Sequence, residues 1–554
     1  MNTFFTVFSL LFLLQNTDID SSGNPQDTVN NNIPANQPGK TSGTTDATST
    51  TLEYKRVSSP VSPAVKTKQP VSTSTDDTSS EQNKSTVETA ADPSPEQNKT
   101  TEKQTEKSDK EDKSIFSNFG FGSYGRVNFG SNFDGEPIYP VNITTHGPRL
   151  EESTYLELDL YYLYNPVKSI KTKTVTTLAL KNSLFHYNAQ WDASIAVRNL
   201  YLQVQQENFP HLYLWAGSRM YRGDDIYLLD YWPLDNLNTL GAGIWYDKKP
   251  LRGGLHIGTN RVLGQYQYQE MQVSDPFIGA RTITTMNRQR TIASFKLEYW
   301  KKLKNSIGFK VKGYTEFHLL PSGTYNALES QEEQIDFPNE QGYVAGAQIG
   351  IWDFHPHSFL NIFARYGKGL GAYGEFSQPL GLGWSQDYDT NYSVEGAQDL
   401  VLAFSANFVV PKRFGLMAGG YYRYFKDADN SNYDWDDGTE MVFSVRPHLW
   451  IPELTGNNFA LAGEISWQHS SRNGLYPDTQ TSLSPSVWKF SLIPTWISGF
   501  NTYSRPAIRL VYTMAMLNED ARKLYHENDW RVSRKVEHFI GIQAEWWFNS
   551  STYQ

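Results

Sequence analysis

The sequence predicts an all-β chain that closes, from residue 114 to residue 554, into a transmembrane antiparallel β-barrel. Three observations carry that prediction. Hydrophobicity beyond Ser114 alternates with a period of two, as in strands with one apolar and one polar face. The apolar face repeatedly ends in Tyr or Trp, rings that suit a membrane–water boundary. The chain of 554 residues also carries 33 Tyr, 30 Phe and 15 Trp while only 38% of it is apolar. That is an excess of amphipathic rings over the Leu, Ile and Val that fill a water-soluble core.

The segments in order support this reading. Residues 4–14, FFTVFSLLFLL, are the longest strongly apolar run. The run is shorter than the roughly 20 residues of a spanning helix and fits a signal-peptide core, so residues 1–15 are expected to direct export. Residues 16–113 contain one aromatic residue, Tyr54, and intermix 16 acidic with 11 basic side chains. Such a stretch buries too little apolar surface to offset its ordering entropy, and we expect a disordered low-complexity extension acting as a spacer. Its near-repeat, EQNKS at Glu81 and EQNKT at Glu96, has no apolar face to stack and no heptad pattern for a coiled coil.

Beyond Ser114 the alternation is explicit. Leu156, Leu158, Leu160 and Tyr162 oppose Tyr155, Glu157, Asp159 and Tyr161. Near the end of the chain Ile540, Ile542, Ala544, Trp546 and Phe548 oppose Phe539, Gly541, Gln543, Glu545 and Trp547. The same pattern sets Phe295 and Leu297 against Lys296 and Glu298, and Ile508 and Leu510 against Arg509. A soluble sandwich would alternate too, but it would not pair an aromatic-tipped apolar face with a wet face so rich in opposite charges. No run of 18 apolar residues exists, which excludes a helical membrane protein. At about 24 residues per strand and turn the region holds roughly 18 strands, enough to enclose a channel.

Composition excludes other functions. With no cysteine there are no disulfides, thiolate metal sites or thiol nucleophiles. A net charge of -10 argues against a nucleic-acid partner. Neither G-x-S-x-G nor H-E-x-x-H occurs, and the 11 His show no metal-ligand spacing. Asp225 and Asp230 could be imagined as a glycosidase pair but bring no visible acid–base setting. No enzyme activity and no cofactor is expected.

The more specific signals are local. LWAGSRMYRGDDIYLLDYWPLDN begins at Leu214, YSRPAIRLVYTMAML at Tyr503 and IGIQAEWWF at Ile540, with SYGRVNFG at Ser123. Taken in order and spacing, these runs resemble the maltoporin family of sugar-specific outer-membrane porins across nearly all of residues 114–554. The resemblance implies an 18-stranded barrel in the bacterial outer membrane, a homotrimer in contact with its lipid, and a third loop folded inward to narrow the pore. It also implies facilitated diffusion of sugars, by default maltodextrins, along a track of aromatic rings flanked by ionic side chains. A pyranose has a weakly apolar C–H face that stacks on a ring and a hydroxylated rim that exchanges hydrogen bonds with charged groups.

Carried over by motif, the aromatic track comprises Tyr124, Tyr155, Tyr503 and Trp547, with Trp232 where the family has a tyrosine at the narrowest point. Parity places Tyr155 with Glu157, Tyr503 with Arg505 and Arg509, and Trp547 with Glu545 and Gln543. The ionic track comprises Arg126, Arg149, Glu157, Arg198, Asp225 and Asp230. Arg222 joins it, standing one position before Gly223, where the family's constriction loop carries an arginine. Parity groups Arg198 with the apolar Leu200 and Leu202 unless a bulge intervenes. The family's mid-channel phenylalanine falls nearest Ile292 or Ala293, and the aromatic that latches onto a neighbouring subunit falls at Trp191. The alternative expectation is a general diffusion porin that sieves by size and charge.

Overall fold

A computed structural model describes residues 118–549 apart from 137–139, 183–193, 261–266, 277–278, 304–305, 327–333, 373–392, 427–436, 452–457, 473–480 and 527. The expected export segment, the extension to residue 113 and Trp191 lie outside the described residues.

Eighteen antiparallel strands form one closed sheet. They are β1 (Phe119–Ser131), β2 (Thr154–Val167), β3 (Ile170–Asn182), β4 (Ser194–Gln206), β5 (Leu212–Arg222) and β6 (Asn236–Lys248). Next come β7 (Leu251–Asn260), β8 (Arg290–Lys302), β9 (Gly308–Leu320), β10 (Glu340–Trp352), β11 (Phe359–Gly369) and β12 (Gln398–Val410). The last six are β13 (Phe414–Lys426), β14 (Gly438–Trp450), β15 (Phe459–Arg472), β16 (Ser486–Ile497), β17 (Ala507–Leu517) and β18 (Val536–Phe548). Each strand pairs with its sequence neighbours, and β18 closes on β1 with Tyr124 opposite Trp547 and Arg126 opposite Glu545. Closure leaves no unpaired strand edge, the condition for a sheet in lipid.

Alternation decides which side each residue takes. Large apolar side chains stand on the outer wall, where Phe129 is 68% and Ile542 56% exposed. Their polar neighbours turn inward and are buried, among them Glu157, Asp159, Lys296, Glu298 and Glu545. These inner charges are paired, Arg365 with Asp399 at 2.7 Å and Arg446 with Glu464 at 2.7 Å across neighbouring strands, and Lys489 with Glu151 of loop 132–153 at 2.9 Å. The molecule is thus polar inside and apolar outside, as a lipid-solvated barrel with a wet lumen must be.

Short turns such as 168–169, 249–250 and 411–413 gather at the end where β1 begins and β18 ends. Long loops gather at the other end: 132–153 after β1, 223–235 after β5, and 261–289 and 321–339 after β7 and β9. Two of these carry small hairpins, Tyr268–Asp275 with Gly279–Met286 and Gly323–Asn326 with Gln334–Phe337. The loop after β17 begins with a one-turn helix, α1 (Glu519–Arg522), capped by the Asn518 side chain accepting from the Ala521 N–H.

Candidate functional site

Loop 223–235 folds into the barrel and narrows it. Its apolar residues Ile226, Leu228, Leu229 and Leu234 are buried in a cluster with Ile292 of β8, Phe363 of β11 and Met417 of β13. Gly419 makes room, since a Cβ there would meet Ile226 Cγ2 at 2.4 Å. Both ends of the loop are fixed by charge. Asp224 pairs with Lys310 at 2.5 Å, and Asp235, fully buried, pairs with Lys296 and lies 3.5 Å from Lys312. A side chain at Gly223 would meet the Asp235 carboxylate at 1.9 Å, so the arginine the resemblance would put there would require Asp235 to move from its place beside Lys296. Arg222 instead donates from Nε to Asn236 Oδ1 at 2.6 Å and lies 3.9 Å over the Trp232 ring.

Loop 132–153 also turns inward and rests on β13–β15. The Ile143 N–H donates to Gln468 at 3.1 Å, and Thr145 donates from N and Oγ1 to Glu440 at 3.2 Å. His146 stacks on Tyr231 of the constricting loop, with ring centroids 4.0 Å apart. Enclosure pushes the His146 imidazole down to about 3, assisted by Arg423, so it stays neutral at ordinary pH. Two loops, rather than one, bound the passage.

Beside β1–β4 most of the residues expected from sequence come together. Arg126 pairs with Glu152 at 2.7 Å, and Arg149 pairs with the same carboxylate at 3.6 Å and with Asp230 at 3.1 Å. Arg149 also donates to the Tyr124 hydroxyl, while the Tyr124 and Tyr155 rings lie 6.0 Å apart. Tyr155 donates to Glu157, and Arg198 donates to both. Arg198 reaches them because it is a bulge: Thr177 faces Asn199 and Leu178 faces Val197, so Arg198 is left out of the ladder and turns into the lumen. Its strand parity with Leu200 and Leu202 is broken there.

Tyr503 and Trp547 meet at the other side of the constriction, with centroids 6.4 Å apart. Tyr503 does not share a strand with Arg509. It sits in loop 498–506, ahead of β17, and comes into the lumen from the short-turn end. Arg505 of that loop lies 4.4 Å over the Trp547 ring. Arg222 holds the Trp232 ring and adds to the positive field on Asp230, while the Trp232 ring, 7% exposed, makes no ring contact with the other track aromatics among the described residues.

The sequence reading missed Tyr227 and Glu545 as site residues. Tyr227, in the constricting loop, lies 5.4 Å from Tyr503 and 6.1 Å from Trp547, and its hydroxyl donates to Glu545 at 2.6 Å. Glu545 also accepts from Arg505 and Arg509, both at 2.8 Å, and from Tyr124 at 3.4 Å. It therefore ties both halves of the track together. Its only sequence signal was sharing a strand face with Trp547.

Two loop carboxylates differ in charge state. Around Asp230, enclosure opposes ionisation, but Arg149 and, more weakly, Arg126 hold its carboxyl below the usual range. Enclosure pushes Asp225 up to about 7, and the neighbouring negative charge of Asp230 adds to the rise.

A closed barrel with an apolar exterior, a charged interior and inward-folded loops defines a channel of the outer-membrane porin class. A family model described as LamB porin matches residues 119–548, and the chain belongs to that family. It is a channel of the bacterial outer membrane and not an enzyme. A maltoporin of Photobacterium profundum is 20% identical over 368 residues, spanning 64% of this chain and 71% of that protein. Among solved structures, OmpT of Vibrio cholerae in its trimer form is 10% identical with a TM-score of 0.36, covering 78% of this chain and 100% of its own. OpdK of Pseudomonas aeruginosa is 9% identical with a TM-score of 0.36 and the same coverage.

Proposed function

We propose that the channel conducts oligosaccharides, with maltodextrins as the default class, along the rings of Tyr124, Tyr155, Tyr227, Tyr503 and Trp547. The observation that supports this reading most is the spacing of the rings, 5.4 to 6.4 Å between neighbours within each group, beside interlocked Arg, Glu and Asp side chains. Ring faces receive the sugar's C–H surface while the charges exchange hydrogen bonds with its rim. Weak repeated sites permit exit as well as entry. On the same reading, residues 1–15 direct export, residues 16–113 are a spacer, and the working unit is a homotrimer.

The competing reading is a general diffusion porin whose rings only line the wall. Single-channel current in a planar bilayer, titrated with maltose through maltohexaose, separates the two. Stacking sites predict saturable block that tightens with chain length, and Tyr155→Ala should weaken it roughly three- to tenfold. Current that no sugar blocks would leave the general porin.

A further inference from the structure

Beyond Glu157 toward the short turns, the inner wall carries a second aromatic group. Tyr201 of β4 pairs with Val175, which pairs with Tyr161 further along β2 than Glu157. Trp215 of β5 stands beside Tyr201 and Tyr221 beside Trp215, and all three rings are buried. Trp215 lies over Gly243, where a Cβ would come within 2.6 Å of its Nε1, and its ring stacks on His256 at 5.3 Å and 13°. The ring is thereby held in one orientation.

Arg219 lies on this bed. It pairs in register with Thr239, a buried inward residue, so its side chain enters the lumen. Its guanidinium carbon is 4.7 Å from the Tyr201 centroid, 5.1 Å from Trp215 and 5.9 Å from Tyr221. Arg126, Arg149, Arg198, Arg365, Arg446 and Arg505 each hold a carboxylate. Arg219 has no carboxylate within ion-pair distance among the described residues. A guanidinium stacked on rings keeps its in-plane N–H fork free, and that fork matches a carboxylate. The strand pairing puts the bed near the track, since Tyr201 pairs with Val175 and Val175 with Tyr161 of β2, the strand that carries Tyr155 and Glu157.

We propose that Arg219 on the Tyr201–Trp215–Tyr221 bed is a subsite for a carboxylate borne by a passing pyranose, which would give the channel a preference for uronate-type oligosaccharides. This rests on the reading that sugars pass along the track. The test is ion-current block by trigalacturonate and by maltotriose, with acetate at equal carboxylate concentration as the bare anion. Trigalacturonate should block about tenfold more tightly than maltotriose, the worth of one charge-assisted fork. Arg219→Gln should bring the two sugars within about twofold of each other, and Arg219→Lys should keep part of the preference. Maltotriose block with no preference for the uronate in the parent protein overturns this inference and leaves the track standing. Block by neither sugar overturns both. A preference that survives Arg219→Gln, or block by acetate as strong as by trigalacturonate, also overturns it. The parent comparison needs no variant to fold.

Discussion

Asp225 and Asp230 illustrate how position, and not residue type, sets charge in the constriction. The two carboxyls share one short loop, yet Arg149 holds Asp230 ionised while Asp225 is pushed up to about 7 by enclosure and by its acidic neighbour. A raised carboxylate develops its charge only as pH climbs through that value. Cation preference, read as the reversal potential in a KCl gradient, should therefore fall as pH drops from about 8.5 to about 5.5, changing the permeability ratio roughly twofold. His146 contributes nothing in that window because it stays neutral down to about 3. Asp225→Asn should flatten the profile at its low-pH value; an unchanged pH response in that variant would assign the titration elsewhere. Both carboxylates could be named from motif, but their opposite states depend on Arg149, which arrives from a different loop.

Among the elements, the constricting loop shows most clearly what local pattern cannot supply. Alternation made the strands legible, down to the faces of 155–162 and 540–548, because a strand buried on one side must repeat every two residues. Loops have no period. That loop 223–235 folds inward came from the resemblance, and its fixing by Lys296, Lys310 and Lys312 joins residues far apart in sequence. Tyr227 escaped notice for the same reason, since its partner Glu545 lies 318 positions away. Arg198 was carried over by motif against its parity, and the bulge in β4 resolves that conflict. Ile226 is the apolar anchor of the loop, 1% exposed against Gly419. Ile226→Ala should cost the docked loop about 2–5 kcal/mol. The loop would then spend more time off the wall, and single-channel conductance would become noisier and change in mean value. Conductance identical to the parent would mean that the charged ends alone hold the loop.

At the level of the whole molecule, the inversion of inside and outside was legible from the few segments whose alternation was explicit and from the ring-rich composition, and the eighteen strands repeat it. Lipid solvates the outer wall and water the lumen, so the same pattern that would expose a soluble protein's core here satisfies both solvents. What the sugar would meet was less legible. The rings come from β1, β2, β18 and two loops entering from opposite ends, and their assembly depends on barrel closure through the Tyr124–Trp547 and Arg126–Glu545 pairs. The most direct measurement is a structure of the protein in detergent or nanodiscs with maltohexaose bound. Glucose units stacked on Tyr155 and Tyr124 and continuing past Tyr227 to Tyr503 and Trp547 are the predicted result. A lumen without ordered sugar at saturating concentration, or sugar held only on the outer loops, would contradict the account.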